Sequence, residues 1–181
     1  MRRVLPLAAT VLAAAALTSG SAAPGGPAGG PAPTRPYYPA LPHQVRLNET
    51  PVYAPPVRDG LLQFTVIGYE GGLAEIIGSH AEWFAKGQYV RIRLVLENLD
   101  RSQQGFAARY QLLLTADGRS FHPDDFAIAV KRQIWTQLVG ASVRIEFDLY
   151  FDIPKDARPT AIRFFADPPG AGGQVALPGG R

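Results

Sequence analysis

With 181 residues, 46% of them hydrophobic and 18% charged, the chain has room for one globular domain plus accessory segments. It holds no cysteine, which excludes disulfides, thiolate zinc sites, a cysteine nucleophile and a lipid-modified N-terminal cysteine. The excess of 18 basic over 15 acidic residues shrinks once Arg2 and Arg3 are set aside, and the arginines are scattered singly, so no nucleic-acid partner is expected.

Residues 1–22 open with Arg2 and Arg3, run apolar from Val4 to Leu17 and close in small side chains. That is the layout of a secretory signal peptide, with cleavage expected between Ala22 and Ala23 and a secreted, extracellular product. The apolar run falls short of the about 20 residues that span a bilayer, so no integral membrane anchor is expected after signal removal. Ser21 stands where a lipoprotein signal requires cysteine, so the exported form is expected without a lipid anchor. Residues 23–59 read as a Pro/Gly/Ala-rich tether, because 10 of the 17 prolines lie between Pro24 and Pro56 and such a segment buries too little apolar surface to offset chain entropy. Its aromatic interruption, RPYYPALPH, could bind or fold back on the domain.

Residues 60–167 read as strands almost throughout. Leu62, Phe64 and Val66 share one face, with Gln63, Thr65 and Tyr69 on the other. In GQYVRIRLVLENLD the apolar row is Val90, Ile92, Leu94 and Leu96, alternating with Arg91, Arg93, Val95 and Glu97. Phe106, Ala108, Tyr110, Leu112 and Leu114 are expected on one face, and Asp117-Gly118 marks a turn into a return strand at Arg119 to Phe121. The clearest strand sets Val143, Ile145, Phe147, Leu149, Phe151 and Ile153 inward, and Arg144, Glu146, Asp148, Tyr150 and Asp152 toward solvent, until Pro154. Ile162, Phe164 and Ala166 face the core on the last strand. Between them Phe126, Ile128 and Val130 alternate as in a strand, whereas Ile134, Trp135 and Leu138 have a helical spacing. Residues 168–181 read as a flexible tail. Strict alternation without long helices builds an all-β antiparallel sandwich, with apolar rows inside and charged rows in water.

Three segments in order, KGQYVRIRLVLENLD, YQLLLTADGRSFHPDD and IEFDLYFDIPKDARPTAIRF, make residues 86–165 resemble the telokin-like family of secreted bacterial proteins of unknown function, related in fold to the mycobacterial secreted immunogenic protein. The chain departs from that family at Val139, where proline is usual in the turn before the Phe-Asp-Ile-Pro strand end. The resemblance implies an immunoglobulin-like β-sandwich outside the cytoplasm and carries over no catalytic residues.

The candidates for chemistry are sparse. His43, His80 and His122 lie far apart and fall in no metal or hydrolase motif. His122, Asp124 and Asp125 in HPDD could meet a divalent cation, but Pro and Asp are also what a turn demands. Ser79 and His80 are adjacent, yet a nucleophile and base need an orienting acid and an oxyanion hole. Glu146, Asp148 and Asp152 resemble glycosidase carboxylates less than they do a cross-strand ion-pair row facing Arg91 and Arg93. Trp83, Phe84 and Trp135 read as core plugs. The expectation is therefore a non-enzymatic binding module without cofactor or metal, taking an unknown protein or envelope polymer. His80, Glu82, Trp83, His122, Asp124 and Asp125 mark its partner-binding loops. The alternatives are an envelope-maintenance protein attached by its Pro-rich arm and, third, a cryptic hydrolase.

Overall fold

The computed structural model describes residues 43–178, so the leader, its Ala22–Ala23 cleavage point and the first part of the tether lie outside the described residues. In chain order the strands are β1 (Thr50–Pro51), β2 (Val57–Asp59), β3 (Leu62–Ile77), β4 (Glu82–Asn98), β5 (Gln104–Ala107), β6 (Leu112–Thr115) and β7 (Ser120–Phe121). A short helix α1 (Asp125–Val130) then precedes β8 (Thr136–Val139), β9 (Arg144–Ile153), β10 (Pro159–Phe164) and β11 (Gly173–Ala176).

Among the described residues every pairing is antiparallel. One sheet runs β1-β3-β4-β9, with β2 also on β3, and a second runs β11-β10-β6-β7. The chain forms β3 and β4 in the first sheet, crosses for β6 and β7, returns for β9 and finishes with β10 and β11 in the second. That alternation is the strand order of an immunoglobulin-like sandwich.

The apolar rows meet between the sheets. Val90, Ile92, Leu94 and Leu96 are fully buried, and at about 1.5–3 kcal/mol each they contribute roughly 6–12 kcal/mol before entropy. Phe64 stacks on Phe164 across the core at 4.7 Å, and Phe106 meets Phe147 edge-on at 5.3 Å.

Several expectations from sequence are corrected. Val57–Asp59, within the expected tether, pairs with Leu62–Phe64, and Gly173–Ala176, within the expected tail, pairs with Ala161–Phe164. The order of elements in the 126–140 region is the reverse of the pattern's suggestion: helix first, because Asp124 caps it by accepting the Ala127 N–H at 3.0 Å, and strand second. A 3-10 turn at Ala108–Tyr110 shifts the phase of the following strand, so Leu113 is the buried residue there and Leu112 and Leu114 are half-buried. Finally, the charged row is not the solvated side of the first sheet. Arg93 and Asp148 are 4% and 5% exposed, and Tyr150 is buried as well.

The reason is that two segments cover this second face. Toward one end lies the strap of residues 43–49, and toward the other lies α1, which packs Ala127 into a cluster with Ile76, Tyr89 and Tyr150. Among the described residues no helix is long and apolar enough to cross a membrane.

Candidate functional site

Strand lengths create the site. β3 and β4 have 16 and 17 residues, but β9 has 10 and pairs with β4 only from Gln88 to Glu97. Past β9 the two strands continue as a ribbon, with Ile77 opposite Glu82, Ile76 opposite Trp83 and Glu75 opposite Phe84, after a register shift in which Ala85 to Gln88 of β4 bulge between the pairs Phe84–Glu75 and Tyr89–Leu73.

Of the six residues expected at the binding loops, the structure brings four together. Trp83 lies against α1 and stacks on Phe126 with ring centroids 4.6 Å apart and planes 15° off parallel. Both rings stay exposed, Trp83 at 36% and Phe126 at 61%, and Phe84 at 66%, so the expectation of core plugs is overturned for the ribbon. Trp83 shares the α1-covered face with its partner Ile76, and Phe84 follows it in the strand. Beside the stack, His122 and Asp124 line a cleft of about 380 Å³ with Lys86, Gly87 and Asp152. Asp125 follows in the first turn of α1. His80 and Glu82 occupy the ribbon's tip, exposed.

The hydrogen bonds define what these groups can do. The Asp124 carboxylate caps α1 and accepts the Tyr89 hydroxyl at 3.4 Å. Burial, joined by the Asp124 charge, raises the Tyr89 hydroxyl's pKa well above 10.0. Asp152 accepts the backbone N–H groups of Lys86 at 2.9 Å and Gly87 at 3.1 Å. The His122 Nδ1–H donates to the Arg109 carbonyl at 2.7 Å, which leaves Nε2 as the ring's acceptor. The carboxylates thus have structural duties already. No group of three or more His, Cys, Asp or Glu suited to a metal ion occurs among the described residues.

Ser79 Oγ lies 2.8 Å from His80 Nδ1. In a hydrolytic triad that nitrogen is held by the orienting acid, while Nε2 faces the nucleophile. The pair at the tip has the opposite polarity.

A second constellation escaped the sequence reading. Beneath the strap, Glu49, with a side chain 2% exposed, accepts from Arg93 Nη1 at 2.8 Å and from the Arg46 N–H at 2.9 Å. Arg93 Nε also donates to Glu146 at 2.7 Å, and Arg91 pairs with Glu70 at 3.0 Å. Arg46 Nη1 reaches Asp148 at 2.7 Å, and His43 Nδ1 lies 3.2 Å from Glu146. The sequence leads one to expect cross-strand ion pairs between the acidic row and Arg91 and Arg93, but exposed ones. It does not lead one to expect the burial, or the contribution of Glu49 from the presumed tether. The only sequence signal was the density of charge in RLNE next to Thr50.

No family model matches the chain, and no curated protein sequence does. The structure is similar to the crystal structure of a conserved hypothetical protein from Bacillus anthracis, with a TM-score of 0.50 at 8% identity, covering 63% of this chain and 88% of that one. It also matches the yjhA protein from Bacillus subtilis, with a TM-score of 0.45 at 17% identity over 59% and 75% of the two chains. A third match is MPT63, a secreted protein from Mycobacterium tuberculosis, with a TM-score of 0.42 at 15% identity over 69% and 90%. Only the first reaches 0.5, and at 8% identity it speaks for the fold alone.

Proposed function

We propose that this chain is an exported, non-enzymatic binding module. Its ligand is held between the Trp83–Phe126 stack and the adjoining cleft at His122 and Asp124. The observation that carries the reading is the pair of parallel rings kept exposed at 36% and 61% beside a cleft whose polar groups are fixed by backbone hydrogen bonds. Exposed aromatics next to pre-oriented polar groups suit recognition of a protein segment or an envelope polymer, since the rings supply area at little entropic cost and the polar atoms supply direction. The leader-like residues 1–22 and the resemblance of residues 86–165 to the telokin-like family of secreted bacterial proteins support export and a role at or beyond the cell surface.

The test is capture of exported proteins and envelope polymers from the source organism by the chain and by its Trp83→Ala, Phe126→Ala and His122→Ala variants. A partner retained by the parent chain and lost from the variants at unchanged melting temperature supports the reading. Turnover of an ester, peptide or glycan that vanishes in His80→Ala or His122→Ala overturns it.

A further inference from the structure

Near its tip the ribbon is a regular hairpin. Glu75, Ile76 and Ile77 pair in unbroken register with Phe84, Trp83 and Glu82, and the Gly78 N–H donates to the Ala81 carbonyl at 2.8 Å across Ser79 and His80. Side chains there alternate between two faces. One face takes Ile76 and Trp83, and α1 lies on it, with Phe126 stacked on Trp83 and Ala127 clustered with Ile76. The opposite face takes Glu75, Ile77, Glu82 and Phe84. Ile77 and Phe84 are 56% and 66% exposed, and each stands directly across from a glutamate, so the apolar and the acidic side chains occupy the two diagonals of one square. Neither carboxylate has a hydrogen-bond or ion-pair partner among the described residues. Lys131, which reaches the ribbon from the end of α1, is engaged instead with the Ile77 carbonyl at 2.6 Å.

We propose that this second face of the ribbon docks a basic segment of another protein, in which an arginine or lysine meets Glu75 and Glu82 while an apolar neighbour covers Ile77 and Phe84. Diagonal positions on paired strands lie about 7–8 Å apart, so both carboxylates can converge on one guanidinium or ammonium group. The aliphatic stem of that side chain packs on the apolar diagonal, which matches the alternation of greasy and acidic groups. A second copy of this chain is the poorer occupant, because two-fold pairing of this face would set the glutamates of one copy against those of the other. An anionic lipid surface or a nucleic acid is repelled by the same groups. The chain as a whole is net basic, so the attraction for a cationic segment has to be local. This surface faces away from the Trp83–Phe126 stack and does not rest on the function proposed for that stack. A contact this small belongs to the weak, transient class.

The test is fluorescence anisotropy with a labelled peptide of alternating arginine and valine, titrated at low salt with the full chain. The expected result is saturable binding with a Kd below about 1 mM. Glu75→Gln/Glu82→Gln and Phe84→Ser should each weaken it by at least about fivefold, and a peptide of alternating glutamate and valine should not bind. Phe126→Ala, on the other face, should leave the peptide's affinity unchanged, so this proposal and the reading of the aromatic stack stand or fall separately. Circular dichroism checks that each variant stays folded. The proposal is overturned if the arginine–valine peptide does not bind by about 1 mM, if its binding is indifferent to the glutamate or Phe84 substitutions, or if Phe126→Ala removes it equally. It is overturned as well if sedimentation velocity shows a dimer of the parent chain that Phe84→Ser abolishes, since a second copy would then be the occupant.

Discussion

Replacing Glu49 by glutamine probes whether the strap is part of the fold. The change keeps shape and removes one buried negative charge, leaving Arg93 with Glu146, whose side chain is 35% exposed, and Arg91 with Glu70. Breaking a buried ion pair costs about 3–5 kcal/mol because the remaining charge is desolvated without compensation. Arg93 retains Glu146 at 2.7 Å and the Gln44 carbonyl at 2.9 Å, which brings the expected loss to about 2–4 kcal/mol. Against a typical stability of about 5–15 kcal/mol this is large, and it corresponds to a fall in melting temperature of about 10 °C. Urea unfolding followed by tryptophan fluorescence measures it. Adding Arg93→Met to Glu49→Gln should cost less than the two single losses combined, with a coupling of at least about 1 kcal/mol. The exposed pair Arg144–Glu97, at 4.0 Å, is the control, and Arg144→Ala should change stability by less than about 0.5 kcal/mol. If Glu49→Gln is as mild as Arg144→Ala, or the cycle shows no coupling, the strap does not close over the sheet and the ion-pair argument fails.

Three further outcomes follow from the same packing. A Cβ added at Gly68 would overlap the Glu49 carboxylate, so Gly68→Ala should lose about 1–3 kcal/mol in a urea melt, and nearly nothing when Glu49→Ala has already cleared the space. Phe147→Asp puts a carboxylate against Phe106 in the core and should leave the domain unfolded by circular dichroism, whereas Asp148→Ala should cost about 1–2 kcal/mol, since its partner Arg46 is 42% exposed and can turn to water. Burial, with the charges of Asp124 and Asp148 respectively, raises the hydroxyl pKa of Tyr89 and of Tyr150 above 10.0. Below that pH both folded and unfolded states hold these protons and stability is undiminished. Above it the unfolded chain ionises first, so stability should fall by up to about 1.4 kcal/mol per pH unit for each tyrosine. Urea midpoints at rising pH measure this, Tyr150→Phe should make the slope shallower, and native tyrosinate absorbance showing all 7 tyrosines ionising near pH 10.0 would refute it.

What the sequence reveals and what it hides have a common physical origin. A period of two reports that a strand has two unlike faces, and this sufficed to place Leu62, Phe64 and Val66 against Val90, Ile92 and Leu94 inside a sandwich. It does not report what lies on the polar face. Arg93 and Asp148 look solvated because the groups that neutralise them, Glu49 and Arg46, are 44 and 102 residues away in the chain. Helix α1 was missed because six residues are too few to show a helical period, and its start depends on the side-chain cap at Asp124. The candidate site was half legible. Trp83 and the HPDD turn stood out as aromatics and acids beyond the regular alternation, but the stack of Trp83 on Phe126 needs the helix to exist and to lie across the ribbon. The ribbon itself is a consequence of unequal strand lengths, 17 residues in β4 against 10 in β9. A sandwich buries its inner rows only as far as both sheets extend. Ile77 and Phe84 continue the apolar pattern past that limit, and the unmet part of the pattern is where this fold offers surface to a partner.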